Sequence, residues 1–289
     1  MTTPRLDHFS NGGLTFDLVD SGPLDGVPVV LLHGFPERAS SWNEVSAHLH
    51  ELGYRTFAPD QRGYSEGARP RGRVAYRMSK LVGDTVALIA TIDAGPVHLV
   101  GHDWGATVAW STAAEHSDLV RSLTTASVPH NAAFFRSMLS SRQVFLSYYM
   151  GLFQLPAVPE LVFKRRPEAM KKRLMDSGMT EAMVRRFQSE IVDSGALSGA
   201  LNWYRALYLA KPTTVLRKVA VPTTHVWSDG DKSLTRQGAE LTERYVTGPY
   251  DLCVMTGVSH WIADEVPDEL AAIIHARIQS TVTSDPEEL

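Results

Sequence analysis

Six short apolar runs recur along the chain, at 29–32, 54–58, 97–100, 120–126, 223–227 and 251–255, with helical segments between most of them. Such alternation predicts an α/β fold with a mostly parallel central sheet and crossover helices on both faces, because parallel neighbours cannot be joined by a tight turn. Leu81, Val82, Thr85, Val86 and Ile89 fall at helical spacing, as do Val108, Ala109, Ala113 and Ala114, and each set forms a face to pack on the sheet. The chain opens differently. Two strand-like stretches, 6–9 and 14–19, flank Ser10-Asn11-Gly12-Gly13, which predicts an antiparallel hairpin.

The alternation stops between 129 and 212, where aromatic and Met-rich stretches (FFRSMLSSRQVFLSYYMGLF) and charged amphipathic ones replace it. We read 1–128 as the first part of the core, 129–212 as an inserted helical cap, and 213–289 as the second part. The core ends in a helix near 268–278 and a polar tail, 284–289, expected to fray. The chain's 289 residues, 44% hydrophobic and 21% charged, suffice for a core and such an insertion.

A net charge of −4 without a sustained basic stripe argues against nucleic acid as a partner. The clusters Lys164-Arg165-Arg166 and Lys171-Lys172-Arg173 read as a solvated face of the cap. The first residues lack the basic and apolar segments of a signal peptide, and no apolar run approaches the roughly 20 residues of a spanning helix, so a cytoplasmic protein is expected. Cys253 is the single cysteine, expected to be buried in its apolar run. No cluster with metal-ligand spacing is evident, and neither a metal nor an organic cofactor is expected.

Chemistry concentrates at Gly101-His102-Asp103-Trp104-Gly105, between the run at 97–100 and the helical face that begins at Val108. Small residues on either side allow a sharp strand-to-helix turn that exposes the central side chain, the nucleophile elbow of α/β-hydrolases. A base is available at His260, after the last strand, and an acid in Trp227-Ser228-Asp229-Gly230-Asp231, after the preceding one. The order nucleophile, acid, histidine, each past the carboxyl end of a strand, suits an open α/β sheet. Two aspartates compete for the acid; similarity to a Trp-Gly-x-x-Asp pattern, with Ser228 in the glycine place, favours Asp231.

An aspartate in this turn restricts the reaction. Attack by a carboxylate on an ester carbonyl yields an anhydride with little advantage, whereas attack on an sp3 carbon bearing a leaving group yields an ester whose carbonyl water can then cleave. Asp103 therefore points to an epoxide or an alkyl halide. In this fold the oxyanion is held by the backbone N–H after the nucleophile, here that of Trp104, and by one from an early loop, here Phe35 in His33-Gly34-Phe35-Pro36-Glu37.

His33-Gly34-Phe35-Pro36, Asp60-Gln61-Arg62-Gly63-Tyr64-Ser65, Gly101-His102-Asp103-Trp104-Gly105 and Ser259-His260-Trp261 together resemble the epoxide hydrolases of the α/β-hydrolase fold superfamily, over nearly the whole chain. The resemblance implies two cap tyrosines that protonate the opening ring. Leu201-Asn202-Trp203-Tyr204-Arg205-Ala206 is similar to one such segment and implies that role for Tyr204. Tyr149, ahead of Phe153-Gln154, matches the other, with Tyr148 as its competitor. Trp104, Phe153, Trp203 and Trp261 are expected to line the substrate site. The implied partners are water and a small lipophilic epoxide, taken into an apolar tunnel under 134–153, in a possible homodimer.

Two other readings share these residues. A haloalkane dehalogenase would use the same Asp103, but many of them carry asparagine where Phe35 stands, and fluoroacetate-type dehalogenases place arginines after the nucleophile where this chain has none. A catalytically silent ligand-binding protein of the same fold would bind the ligand without turnover.

Overall fold

The computed structural model describes residues 4–282. The tail at 284–289 therefore lies outside the described residues, as do residues 1–3. Eight strands form one sheet: β1 (His8–Asn11), β2 (Leu14–Ser21), β3 (Val27–Leu32), β4 (Tyr54–Pro59), β5 (Val97–His102), β6 (Val120–Ala126), β7 (Thr223–Ser228) and β8 (Tyr250–Met255). Their spatial order is β1-β2-β4-β3-β5-β6-β7-β8. β1 and β2 pair antiparallel around Gly12-Gly13, β2 runs antiparallel to β4, and every later pair is parallel. Gly12 and Gly13 adopt φ of 57° and 79°, the left-handed backbone that a two-residue hairpin turn demands.

Crossover helices α1 (Asn43–Glu51), α2 (Met78–Ile92) and α3 (Trp104–Glu115) join the parallel strands. Because successive strand side chains point to opposite faces, β3 divides between two cores. Val30 and Leu32 join Leu88, Leu99 and Trp110 on the face of α2 and α3. Val29 and Leu31 join Trp42, Leu49 and Ile274 on the other. Strands covered on both faces read as unbroken apolar runs, which is why the alternation was visible in the sequence. β8 is the exception as an edge strand, and its Cys253 is half-buried rather than enclosed.

Between β6 and β7 the chain runs through α4 (Asn131–Ser140), α5 (Gln143–Leu146), α6 (Tyr148–Leu152), α7 (Val158–Arg165), α8 (Pro167–Asp176), α9 (Glu181–Phe187), α10 (Leu197–Ala206) and α11 (Pro212–Val215). A π-helical turn, Gln188–Asp193, separates α9 from α10. After β7 come α12 (Arg236–Leu241), α13 (Ile262–Glu265) and α14 (Pro267–Val282). Among the described residues no helix is long and apolar enough to cross a membrane.

Candidate active site

β5 ends at His102 and α3 begins at Trp104, leaving Asp103 as the single residue of the turn, at φ 51° and ψ −120°. A non-glycine residue there is strained by an amount on the order of 1–3 kcal/mol, which the flanking packing must offset. The packing is close. A Cβ on Gly105 would stand 2.0 Å from the Leu32 carbonyl oxygen, and one on Gly34 would stand 2.4 Å from the Asp103 Cβ, so both positions require glycine. This approach lets the Phe35 N–H donate to Asp103 Oδ1 at 2.8 Å. Trp104 opens α3, and the first N–H groups of a helix have no acceptor within it and face the positive end of its dipole.

His260, in the loop after β8, presents Nε2 to Asp103 Oδ2 at 3.5 Å. Its Nδ1 lies 2.7 Å from Asp231 Oδ2, and since a carboxylate can only accept, the ring donates there. The N–H groups of Ser233 and Leu234 donate to the other Asp231 oxygen at 2.6 and 2.9 Å, which holds the acid rigidly. Asp229 is exposed and accepts from the Gly257 N–H instead. Burial of His260 opposes protonation, but the Asp231 charge and the bonds to Asp103 and Asp231 outweigh it, pushing the ring's pKa up to about 10.

A cavity of about 430 Å3 opens above these groups, with Asp103, Trp104, Tyr149, Tyr204 and His260 in its wall. Burial raises the pKa of both tyrosines, and the Asp103 charge adds to the effect, so each hydroxyl stays protonated well past neutrality. Tyr148 faces outward and takes a hydrogen bond from Arg173. The adjacent tyrosines diverge because neighbours on a helix do not share a face. Phe134, Phe135 and Met150 contribute apolar lining, as expected for 134–153, whereas Leu207, Leu209 and Val215 contribute lining that no sequence signal marked.

Three residues expected at the substrate site stand elsewhere. Trp203 is 2% exposed and donates its indole N–H to the Arg62 carbonyl at 2.7 Å, because it faces the core while Tyr204, the next residue on α10, faces the cavity. Trp261 packs edge-on against His260, at 4.9 Å between centroids, and does not border the cavity. Phe153 backs Tyr204 and Tyr149, at 5.0 and 5.6 Å, from outside the cavity wall.

Five further polar residues gather beneath His260. The His102 Nε2 donates to the His260 carbonyl at 2.9 Å, and Ser127 Oγ donates to the same oxygen at 2.8 Å. Glu37 Oε2 lies 3.4 Å from His102 Nδ1, and Arg186, from α9, donates one Nη2 to Glu37 Oε1 at 3.1 Å and to Asp264 Oδ1 at 2.6 Å. Burial works against the Glu37 charge, but its contacts with His102, Asp264 and Arg186 hold it down at about 2. Burial and the Glu37 charge push the Asp264 carboxyl well above the usual carboxylate range. Glu37 and His102 lie within the motifs at 33–37 and 101–105, yet only the fold brings Arg186 and Asp264 to them.

An open α/β sheet with a strained aspartate between β5 and α3, and a histidine and acid beyond β8 and β7, defines a hydrolase of the α/β type. Residues 27–267 match the family model of the alpha/beta hydrolase fold. Epoxide hydrolase 3 of Xenopus tropicalis is 34% identical, the alignment covering 91% of this chain and 74% of that protein. The structure of an epoxide hydrolase from Vigna radiata superposes with a TM-score of 0.80 at 29% identity, covering 93% of this chain and 95% of the other. Epoxide hydrolase A from Mycobacterium thermoresistibile gives 0.81 at 26% identity, over 96% and 98% of the two chains. The chain belongs to the epoxide hydrolases of this fold.

Proposed function

We propose that the chain hydrolyses a lipophilic epoxide to a vicinal diol through a covalent ester on Asp103, with the helices between β6 and β7 acting as a cap. An Asp103 oxygen attacks an epoxide carbon, the carbon–oxygen bond breaks, and Tyr149 or Tyr204 gives its proton to the leaving oxygen. The product is a hydroxyalkyl ester. His260 then takes a proton from water, hydroxide adds to the Asp103 carbonyl, and the Phe35 and Trp104 N–H groups hold the oxyanion. Collapse breaks the ester C–O bond, the added hydroxyl's proton passes to the departing alkoxide to complete the diol, one oxygen from water stays on Asp103, and the proton taken by His260 returns to the tyrosinate.

Electrostatics support this order. His260 owes part of its high pKa to Asp103, and esterification neutralises that carboxylate, so the ring's proton affinity falls when a neutral base is needed. The observation that carries the proposal is the cavity wall itself, which joins Asp103 and His260 to two protonated phenols, the buried Tyr204 and the half-buried Tyr149, suited to an opening oxide. A departing halide would need no proton. The helical roof supports the cap assignment, since Tyr149 and Tyr204 both come from it.

The test is intact-protein mass spectrometry of His260→Gln after incubation with an aryl epoxide and, separately, a bromoalkane. A gain equal to the whole epoxide, mapped to Asp103, is expected. An alkyl gain from the bromoalkane alone would make the protein a dehalogenase.

A further inference from the structure

We infer that Arg186 is a positioning residue for the hydrolytic half of the reaction, transmitting closure of the cap to the base through Glu37 and His102. This rests on the covalent reading above. Arg186 lies in α9, two residues before the π-helical turn Gln188–Asp193, and irregular turns of that kind are frequent at functional sites. Its side chain is 27% exposed, while the side chains of Glu37 and His102 are 2% and 1% exposed. Water can reach the cation. It cannot reach the anion, so Glu37 depends on Arg186 for compensation of its charge.

Two connections lead from Glu37 to the hydrolytic machinery, and the one through His102 reaches the His260 backbone without touching either tyrosine. Glu37 lies two residues after Phe35, whose N–H is bonded to Asp103 and would hold the oxyanion. Across the loop, Glu37 faces His102 Nδ1, and the opposite ring nitrogen donates to the His260 carbonyl. Arg186 also grips Asp264, in α13, which begins two residues after His260. One guanidinium thus joins the cap to the oxyanion loop and to both sides of the base. Opening the cap would withdraw the cation, leave a buried carboxylate unpaired and loosen these loops.

Ester formation requires Asp103, held by the Phe35 N–H, and the tyrosines to be in place, but makes no demand on His260 as a base. Ester cleavage requires His260 and the Phe35 N–H to be aligned to within a fraction of an ångström, where a misplacement of about 1 Å can cost up to 100-fold. Loss of Arg186 should therefore fall on cleavage. Rapid quench followed by mass spectrometry, with styrene oxide as the probe, separates the two rates on the full-length protein. For Arg186→Gln we expect cleavage slower by about tenfold or more and ester formation within about twofold of wild type. Arg186→Lys, which keeps the charge, should retain most of the cleavage rate.

Equal loss in both steps, loss in neither, or a lysine variant as slow as the glutamine one would overturn the inference. Glu37→Gln provides an independent variant should Arg186→Gln not fold. It removes the anion between Arg186 and His102 and should show the same split, whereas wild-type cleavage in it would break the proposed link. Absence of any Asp103 adduct, His260→Gln included, would overturn the covalent reading and this inference together. An adduct that decays at the wild-type rate in both Arg186→Gln and Glu37→Gln would overturn this inference alone.

Discussion

His260 stands between two carboxylates at unequal distances, 2.7 Å from Asp231 and 3.5 Å from Asp103. The shorter contact fixes the ring and the longer one sets its free nitrogen against the Asp103 carboxylate. Asp231→Asn should therefore spare the nucleophile and damage the base, because an amide can donate to Nδ1 and favour the wrong tautomer. Cleavage of the ester should slow by about 10²- to 10⁴-fold, judged by the loss in comparable triads. Single-turnover decay of the Asp103 ester measures it, and decay at the wild-type rate would remove Asp231 from the orienting role.

Tyr204 and Tyr149 border the cavity from separate helices, their rings 6.0 Å apart. Tyr204→Phe and Tyr149→Phe should each slow ring opening by about 10-fold to 100-fold, and the double variant should lose more than either. Decay of an ester already formed should hardly change. Stopped-flow traces that put the deficit in decay instead would exclude these hydroxyls as ring-opening acids.

Stability should be greatest near pH 6.5 and decline on both sides. Burial lowers His98 and His130 to about 4 and His225 to about 3. Below 6.5 the unfolded chain binds protons these rings refuse, so acid destabilises by about 2 kcal/mol per histidine by pH 5. His260 has the opposite sign. Its folded pKa of about 10 gives a contribution present in full below 6.5 and lost as pH rises towards 10. Urea unfolding at pH 5, 6.5 and 9 tests this, and a flat profile would contradict the buried neutral histidines.

Trp203→Phe should weaken the fold and leave substrate affinity intact. The substitution removes the indole N–H that satisfies the Arg62 carbonyl and opens space in the core. The cost should be about 1–3 kcal/mol in unfolding free energy. KM for the epoxide should stay within about twofold, since Trp203 does not border the cavity. A large rise in KM with unchanged stability would return Trp203 to the binding site.

The apolar runs at 97–100 and 223–227 became β5 and β7 because strands buried on both faces leave a continuous signature that needs no tertiary information. Edge position was not legible. The run at 251–255 resembles the others, yet β8 leaves Cys253 half-buried because only the sheet order makes it an edge. Asp103 was conspicuous for a related reason, since its turn is local and Gly101 and Gly105 announce it in the chain itself.

The sequence by itself determined the sheet, the strand-to-helix turn and the residue types available for chemistry, because these depend on local spacing and on the reactivity of a carboxylate. Only the tertiary structure decided which of two adjacent side chains faces the cavity: Tyr149 rather than Tyr148, Tyr204 rather than Trp203. That choice depends on how each helix is rotated against partners distant in the chain. The same is true of Glu37 and Asp264, which lie 149 and 78 residues from Arg186 and form one group with it only when the chain has folded.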